Sequence, residues 1–364
     1  MIDVAHLVAA AETDAARWDR DGLPDEMIAL AAGSGVLGAD RPVRFGGGGL
    51  DAHELGLLAA TLGRACTSLR SLLTVHGMVS AAVDRWGTVE QHDLWLPRLA
   101  AGTTVAALAA TEAGAGTDLS NVATTFEEDG SDRLVSGRKL WVTFGQVADV
   151  FLVLGTAAGS LCAALVDRDR PGVSIQPVEG GLGLRGARQA HIRFDSVRIP
   201  VAQLLAPPGF GLSHVLGTAL DHGRFTVGWG CVGLARACLD DAAAHANTRT
   251  QGDTALAEHQ LIRATLGRCS AEVEGAQAMC ARAAAARAAG SADALVATIA
   301  AKYVAAGAAA SVSERAVQVL GAAGCAPDSR AGRFYRDAKV MQIIEGAQEV
   351  AEVAMGEHVL RGAR

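Results

Sequence analysis

The 364-residue sequence is poor in aromatic residues and has no block of like charge. Aromatic side chains account for 4% of the chain, and the formal net charge is −7 with no basic tract. Nucleic-acid binding needs a concentrated basic face. The composition therefore argues against nucleic acid as a partner.

Disulfide, metal-binding, secretory and membrane-spanning patterns are also missing. The seven cysteines are scattered without a Cys-x-x-Cys pair, and the ten histidines show no ligand spacing, so no metal site is expected. The N-terminus lacks the basic start of a signal peptide. The uncharged run 151–166 is short and is broken by Gly155 and Gly159, so no membrane span is expected. Together these absences predict a cytoplasmic protein.

The residue pattern along the chain changes twice, from helical to β-rich and back to helical, which predicts three domains. Residues 1–105 carry apolar side chains at helical spacing. Residues 106–208 contain short β-rich runs between Gly and Pro turns, typical of an antiparallel barrel or sheet. Residues 209–364 are alanine-rich and helical, and an antiparallel bundle is their economical packing. The predicted fold class is mainly α with a central β-domain, with strands at 134–142, 150–154, 161–166, 172–178 and 191–197.

Glu345 stands in the run Ile343-Ile344-Glu345-Gly346. A carboxylate among apolar neighbours loses hydration, which raises its pKa and its basicity. The following glycine permits close approach of a substrate. This context indicates a general base for an unreactive C–H bond. The alternative is a solvated glutamate at a helix end.

A second constellation lies more than 200 residues upstream. The glycine-rich stretch 109–118 contains Thr111 and Thr117, and its backbone N–H groups could face an anion or a ring carbonyl. In the following stretch, Trp141 and Thr143 are expected on the same side of a strand, because side chains alternate with period two. An indole and a hydroxyl together suit a planar redox cofactor. The alternatives are an ordinary loop and a half-buried strand tryptophan, and the pattern is not a dinucleotide fingerprint.

Together these motifs resemble the acyl-CoA dehydrogenase family over nearly the whole chain. The matching stretches are 45–51, 111–112, 141–143, 221–224, 249 with 258–260, 318–321 and 335–346. The resemblance implies an N-terminal helical domain, a middle β-domain and a C-terminal four-helix bundle. It also implies FAD-dependent removal of the α-proton and the β-hydride of a small acyl thioester on CoA or on an acyl carrier protein.

The resemblance assigns roles to individual residues. Glu345 is implied as the catalytic base. The implied cofactor-binding residues are Leu108, Ala110, Thr111, Gly116, Thr117, Trp141, Val142, Thr143, Arg249, Gln260, Gln318, Gly321 and Ala322. The implied substrate-binding residues are Thr117, Asp221, Arg224 and Gly346. Arg249 and the strip 318–322 would reach FAD bound by a neighbouring subunit, so a homodimer or homotetramer is implied.

Electron-transfer flavoprotein and O2 are the two electron acceptors that the resemblance allows. An acyl-CoA oxidase and a non-catalytic relative of the fold therefore stay open as alternatives. The sequence departs from the family at Gly252, where an aromatic is usual, and at Ala347 and Glu349 after the base. These departures predict a weaker hold on the adenosine half of FAD and an altered substrate mouth.

The identity of the acyl carrier is a separate question. In this respect the chain resembles the branch of the family that serves polyketide extender-unit biosynthesis of the methoxymalonyl type. Arg185, Arg188 and Arg193 cluster in the middle region of the chain. A basic rim there would steer an acidic carrier protein at long range. The alternative is a solvated arginine cluster.

Overall fold

The computed structural model describes residues 2–362, so residues 1 and 363–364 of the first and last predicted domains lie outside it. The first part of the chain is helical, as predicted. Its helices are α1 (Ala5–Asp21), α2 (Asp25–Gly33), α3 (Ala52–Ala65), α4 (Thr67–Trp86) and α5 (Val89–Ala100). Every residue of α4 from Thr67 to Val83 is buried. This helix is therefore the core of the helical part rather than a surface helix.

The middle of the chain forms one sheet. Its strands are β1 (Ala106–Ala109), β2 (Thr125–Asp129), β3 (Asp132–Val142), β4 (Val150–Ala157), β5 (Ser160–Asp167), β6 (Val173–Pro177), β7 (Ala190–Pro200) and β8 (Leu204–Leu205). The strand order is β6-β7-β3-β2-β4-β5-β8, and β1 pairs with β4. The five predicted strands are β3 to β7, whereas β1, β2 and β8 were not predicted.

The sheet differs from the prediction in closure and in strand direction. The strand order begins at β6 and ends at β8 without returning on itself, so the barrel alternative does not hold. Most pairs are antiparallel, but β1 runs parallel to β4, and β2 meets β4 in parallel at Thr125 and Thr156. Parallel neighbours need a long connection. The chain between β1 and β4 supplies that length.

The last part of the chain is a helical bundle. Its helices are α6 (Gly217–Thr248), α7 (Gln260–Ala288), α8 (Ala294–Leu320), α9 (Arg330–Met341) and α10 (Gln348–Gly362). A small hairpin of β9 (Thr250–Gln251) and β10 (Thr254–Ala255) joins α6 to α7. Helix α6 packs against α7, α8 and α9 within the bundle and also against α3 and α4. It therefore joins the bundle to the first helical part.

One stretch of the bundle is as long and as apolar as a membrane-spanning helix. An 18-residue window within Ala294–Cys325 has a mean hydropathy of 1.6, and 50% of that window is buried. Helix α8, which forms most of it, packs against α6, α7 and α9. A core helix of a bundle has the same length and composition, and the contacts account for its apolar character.

Glycines set the distance between α3 and α6. A Cβ at Gly63 would overlap the carbonyl oxygen of Gly230, and a Cβ at Gly56 would overlap the ring of Trp229. Gly275 on α7 has no atom within 4 Å of the place where its Cβ would stand. The first two positions therefore need glycine for close helix packing, whereas the third does not.

We expect Gly63→Ala to destabilise the protein by about 1–3 kcal/mol, because the added methyl meets backbone that cannot move without separating α3 from α6. Gly275→Ala is the matched control and should be neutral or stabilising by up to about 1 kcal/mol, since alanine favours a helix over glycine. Urea unfolding measures both. Equal effects of the two substitutions would contradict the close packing of α3 on α6.

Candidate active site

Glu345 lies in the turn between α9 and α10. Helix α9 ends at Met341, and the N–H of Ile344 donates to the carbonyl of Val340 at 3.1 Å. Glu345 then has φ of 56° and Gly346 has φ of 99°. A left-handed backbone at a residue other than glycine costs about 1 kcal/mol or more. Contacts from the rest of the fold must therefore hold this turn.

Two cations, the half-buried Arg224 and the buried Lys302, hold the turn by its carbonyl groups. Arg224 of α6 donates from Nε to the carbonyl of Glu345 at 2.8 Å, and Lys302 of α8 donates from Nζ to the carbonyl of Gly346 at 2.8 Å. The Lys302 side chain is 2% exposed. Hydrogen bonds from charged donors are stronger than neutral ones. The two bonds together compensate for the strained backbone and fix the direction of the Glu345 side chain.

The Glu345 carboxyl group is directed into the protein. A Cβ at Gly223 would lie 3.0 Å from that carboxyl and 2.9 Å from Sδ of Met78. Burial raises the pKa of Glu345 to about 7, while the charges of Arg224, Lys302 and Arg70 oppose the rise. Within residues 2–362 the carboxyl accepts no hydrogen bond. Glu345 itself is half-buried, and the raised pKa that the sequence predicts is present.

Asp221 and Arg224 do not pair with each other, although both lie on α6 three residues apart. Asp221 accepts a hydrogen bond from Arg287 at 2.6 Å, and Arg224 is engaged with the turn at Glu345. The bundle therefore separates the two candidate substrate-binding residues. Arg224 supports the turn at Glu345, whereas Asp221 contacts Arg287 at the C-terminal end of α7.

The glycine-rich loop is fastened to the sheet by Glu112 and Lys139. Nζ of Lys139 donates to Oε1 of Glu112 at 2.7 Å and to the carbonyl of Ala110 at 3.1 Å. The Glu112 carboxylate also accepts from the N–H of Thr124 at 3.0 Å. The N–H of Leu140 donates to the carbonyl of Thr111 at 2.8 Å. These bonds place the loop beside β3.

The simple alternation expected for Trp141 and Thr143 is wrong. The pairing of β3 with β7 has a bulge between Lys139 and Val142, and Trp141 in that bulge has φ of 58°. Thr143 follows the end of β3. A bulge breaks the alternation of sides and turns a side chain to a new direction. Trp141 is consequently 54% exposed, with its ring edge-on to His191 at 5.2 Å between centroids.

The surroundings of Trp141 fit a planar polar ring such as flavin. An exposed indole stands next to the partly buried hydroxyl of Thr143, and the loop contributes the partly buried Thr111. Gly116 has no atom within 4 Å of its Cβ position, and Thr117 is exposed. An aromatic face, hydroxyl groups and open backbone are the donors and surfaces that such a ring uses. Leu108 packs in one apolar cluster with Ala110, and Val142 is buried.

The turn at Glu345 and the glycine-rich loop, which are distant in sequence, are connected through α4. Met78 contacts the Glu345 region through Gly223 and belongs to the buried cluster against which Leu108 packs. Leu108 directly precedes the glycine-rich stretch 109–118. The candidate base and the candidate ring-binding loop are therefore joined by one apolar layer, although more than 200 residues separate them in sequence.

The other candidate cofactor residues lie at the surface, at one end of the bundle. Arg249 follows the end of α6, Gln260 begins α7, and Gln318 lies in the last turn of α8, with Gly321 and Ala322 directly after it. All five are exposed. Helices α7 and α8 run antiparallel, so the start of one and the end of the other share one end of the bundle. The fold brings these residues toward one another but does not bring them to Glu345.

The three arginines expected to form a basic rim each lie beside an acid. Arg185 is 4.0 Å from Asp19, Arg193 is 3.4 Å from Asp195, and Arg188 forms an ion pair with Asp25. The rim is therefore partly neutralised, and the expectation of a free basic patch is not supported. Asp19 and Asp25 belong to the first two helices and are distant in sequence, whereas Asp195 lies two residues from Arg193 on β7.

Sequence reasoning missed Arg70, Lys302 and Met78. Arg70 is 1% exposed, and both it and Lys302 stand alone in long uncharged stretches, 65–83 and 294–313. Buried charged residues are rare unless they are paired. A lone cation within an otherwise apolar helix was therefore an available signal for both residues. Met78 has no comparable signal, because its pattern is that of an ordinary core residue.

Comparisons with known proteins agree over the whole chain. Models of the acyl-CoA dehydrogenase N-terminal, middle and C-terminal domains match residues 3–103, 107–197 and 209–360. The probable acyl-CoA dehydrogenase fadE25 of Mycobacterium leprae is 32% identical over 347 residues, covering 94% of this chain and 89% of that protein.

Two solved structures are similar throughout. FkbI, for biosynthesis of the methoxymalonyl extender unit of the polyketide immunosuppressant FK520, has a TM-score of 0.92 at 36% identity, covering 98% of this chain and 99% of FkbI. A glutaryl-CoA dehydrogenase of Mycobacterium smegmatis in complex with FADH2 has a TM-score of 0.92 at 25% identity, covering 98% and 93% of the two chains.

The raised pKa of Glu345 predicts a pH-dependent stability. The pKa is about 7 in the folded chain against an ordinary 4.5, so the native state binds this proton more tightly than the unfolded state. The contribution of Glu345 to the free energy of unfolding therefore falls as pH rises from about 4.5 to 7. Glu345→Gln cannot ionise, so its stability relative to wild type should increase over that interval, by at most about 3 kcal/mol.

Urea unfolding at pH 5 and pH 8 measures this difference. Glu349→Gln, which changes an exposed carboxylate four residues away, is the matched control and should show the same stability gap at both pH values. A pH-independent gap for Glu345→Gln would show that the carboxyl is hydrated.

Proposed function

The chain belongs to the acyl-CoA dehydrogenase family and is an FAD-dependent oxidoreductase acting on CH–CH groups, and we propose that it oxidises a small acyl thioester with Glu345 as the base. One observation carries the proposal. The carboxyl of the half-buried Glu345 lies against Gly223, has its pKa raised to about 7 by burial and accepts no hydrogen bond from residues 2–362. A base of that pKa is half ionised near neutral pH, where proton removal is efficient.

The chemistry removes two hydrogens from adjacent carbons. Oε of Glu345 takes the α-proton, and FAD, when bound, supplies the acceptor for the hydride of the β-carbon. As the α-proton leaves, negative charge develops on the thioester oxygen. The backbone N–H of Glu345 donates to no group within residues 2–362, so it is available to stabilise that oxygen. Arg224 and Lys302 hold both the carboxyl and this N–H in place through the turn.

We assign the flavin ring to the surroundings of Trp141. Thr143 and Thr111 would donate or accept hydrogen bonds at its edge, and the backbone at Gly116 and Thr117 would approach it closely. Leu108, Ala110 and Val142 would form the apolar support. The exposed indole beside half-buried hydroxyl groups supports this assignment.

The adenosine half of FAD is assigned to a second copy of the chain. Arg249, Gln260 and Gln318 are exposed at one end of the bundle, together with Gly321 and Ala322. A guanidinium group binds phosphate oxygens in pairs. These residues do not meet the Trp141 region of their own chain, so a homodimer or homotetramer would complete the cofactor site. The exposed Gly252 near this end offers no aromatic contact to adenine.

The proposed substrate is a small acyl thioester on CoA or on an acyl carrier protein. The similarity to FkbI supports a role in supplying a polyketide extender unit. The partly neutralised arginines at 185, 188 and 193 weaken the electrostatic argument for a carrier protein, so the two thioesters must be compared directly. Electron-transfer flavoprotein is the proposed acceptor, and O2 is the alternative. The seven unpaired cysteines support a cytoplasmic location.

We expect Glu345→Gln to keep FAD and the fold but to lose flavin reduction by substrate. The loss should be at least about a hundredfold, because a positioned general base contributes that much or more. Anaerobic bleaching of the flavin absorbance across a panel of short acyl thioesters measures it. Reduction of the Gln variant at a rate near that of wild type would end the assignment of Glu345.

The same assay addresses the carrier and the acceptor. Each acyl group is presented on CoA and on a carrier protein at two ionic strengths, because a steered encounter slows as salt increases. Admission of air after bleaching then measures the reaction of the reduced flavin with O2. Rapid return of the colour would favour an oxidase, and slow return would favour a flavoprotein acceptor.

We expect Arg249→Ala to weaken FAD retention without unfolding the bundle, because a charged contact to phosphate is lost. Gel filtration with simultaneous absorbance at flavin and protein wavelengths measures FAD occupancy and oligomeric state together. Arg263→Ala, which removes an exposed arginine of α7 that donates to the carbonyl of Ala257, is the control. A monomer with full FAD occupancy would contradict the shared site.

A further inference from the structure

Arg287, at the C-terminal end of α7, contacts both of the helices that carry the cations of the Glu345 turn. Its Nη1 donates to Oδ2 of Asp221 on α6 at 2.6 Å and to Oγ1 of Thr298 on α8 at 3.2 Å. Its guanidinium lies over the ring of Phe225, 4.7 Å from the ring centroid. The side chains of Asp221 and Arg287 are only 26% and 23% exposed. Three partners therefore fix the place of Arg287.

The two polar contacts of Arg287 lie one helical turn before the two cations. Asp221 precedes Arg224 by three residues on α6, and Thr298 precedes Lys302 by four residues on α8. Residues at these spacings are neighbours on the surface of a helix. The ion pair of Arg287 with Asp221 is therefore a neighbour of the hydrogen bond that Arg224 donates to the turn.

Asp221 is a competing acceptor for Arg224. Burial lowers the pKa of Arg224, and the charges of Glu345 and Asp221 oppose that effect, so Asp221 lies near enough to act on Arg224. Oδ1 of Asp221 is buried and has no hydrogen-bond partner within residues 2–362. A guanidinium binds a carboxylate more strongly than a neutral carbonyl, because both partners are charged. The bond from Arg224 to the carbonyl of Glu345 thus depends on Asp221 being occupied elsewhere.

We propose that Arg287 is a positioning residue for the base, because it holds the Asp221 carboxylate and thereby leaves Arg224 bonded to the turn at Glu345. This inference rests on the proposed function, in which Glu345 is the base. Arg287 donates no hydrogen bond to Glu345 and acts through Asp221 and Arg224. Without the charge of Arg287, Asp221 would be a largely buried carboxylate with no counterion, which is costly. Arg224, three residues away, is the cation that would replace it.

Movement of Arg224 toward Asp221 would change the base in two ways. The carbonyl of Glu345 would lose the 2.8 Å bond that helps to hold its left-handed backbone, with φ of 56°. Burial raises the pKa of Glu345, and the charges of Arg224 on α6, Lys302 on α8 and Arg70 on α4 oppose the rise. With Arg224 drawn away, the carboxyl would be displaced and its pKa would rise further.

Anaerobic flavin reduction by substrate in the holoenzyme, followed across pH, tests this inference. We expect Arg287→Met to slow the reduction about tenfold or more, because a small displacement of a catalytic group has an effect of that size. The pH at which the rate is half-maximal should also increase, since the base acts only when it is ionised and its pKa has risen. Arg287→Lys keeps the charge and should retain most of the rate.

Removal of the Asp221 charge should rescue the loss. In Asp221→Asn, and in the double variant of Asp221→Asn with Arg287→Met, no carboxylate competes for Arg224. Both should therefore reduce the flavin faster than Arg287→Met alone, and the pH midpoint of the double variant should return toward that of wild type. If Arg287 merely packs α6 against α8, the double variant would be at least as slow as Arg287→Met, and the inference would be wrong.

Arg236→Met is the matched control. Arg236 of α6 pairs with Glu274 of α7 at 2.5 Å, so this change removes another ion pair between the same two helices. It should alter neither the rate nor the pH midpoint. Arg287→Gln removes the charge but keeps a side chain that can donate to Thr298, and it repeats the test if the Met variant does not fold.

A wild-type rate and pH profile in both Arg287→Met and Arg287→Gln would overturn the inference alone, because the reaction of the wild type would still stand. Absence of flavin reduction by every thioester in the wild type would instead refute the proposed function, and with it the role of Arg287.

Discussion

The turn at Glu345 exists because two cations donate hydrogen bonds to its carbonyl groups. Arg224 comes from α6 and Lys302 from α8, and both bonds are 2.8 Å long. Without them the left-handed backbone at Glu345 and Gly346 would relax, and the carboxyl would leave its place against Gly223. Since each cation is anchored in a different bundle helix, the position of the base depends on correct packing of the whole bundle. The alanine- and glycine-rich composition, which allows close helix packing, thereby serves the site.

The same cations tune the base. Burial alone would raise the pKa of Glu345 further, and the charges of Arg224, Lys302 and Arg70 lower it, which leaves a value of about 7. If any of the three were paired with its own carboxylate, its influence on Glu345 would be reduced. This explains why Arg224 does not pair with Asp221 even though the sequence brings them onto one helical face: Arg287 occupies Asp221 at 2.6 Å. Asp221 is thus paired with Arg287 instead of Arg224, and Arg224 donates to the turn.

Local features were predictable from the sequence, and features that depend on distant partners were not. Patterns within a few residues predict the helical and β-rich regions, the strands β3 to β7 and the apolar neighbours of Glu345. Strand β1 reads Ala-Ala-Leu-Ala, which lacks the β-branched and aromatic residues that mark strands. The bulge that exposes Trp141 depends on pairing with β7, about 50 residues away. The arginines at 185 and 188 meet aspartates of the first helices, more than 160 residues away, and no local pattern announces such pairs.

Helix α6 combines the roles that the sequence left separate. Its positions 223, 226 and 230 face Glu345, Thr74 and Arg70 in that order, and its C-terminal end presents Arg249 at the surface. Because these three inner positions lie at spacings of three and four residues, they form one stripe on the helix. Glycine at the two ends of the stripe leaves room for a carboxyl at one end and a guanidinium at the other. Because α6 packs against α3 and α4 as well as against the bundle, the packing of these helices fixes where the Glu345 carboxyl and the Arg70 guanidinium lie.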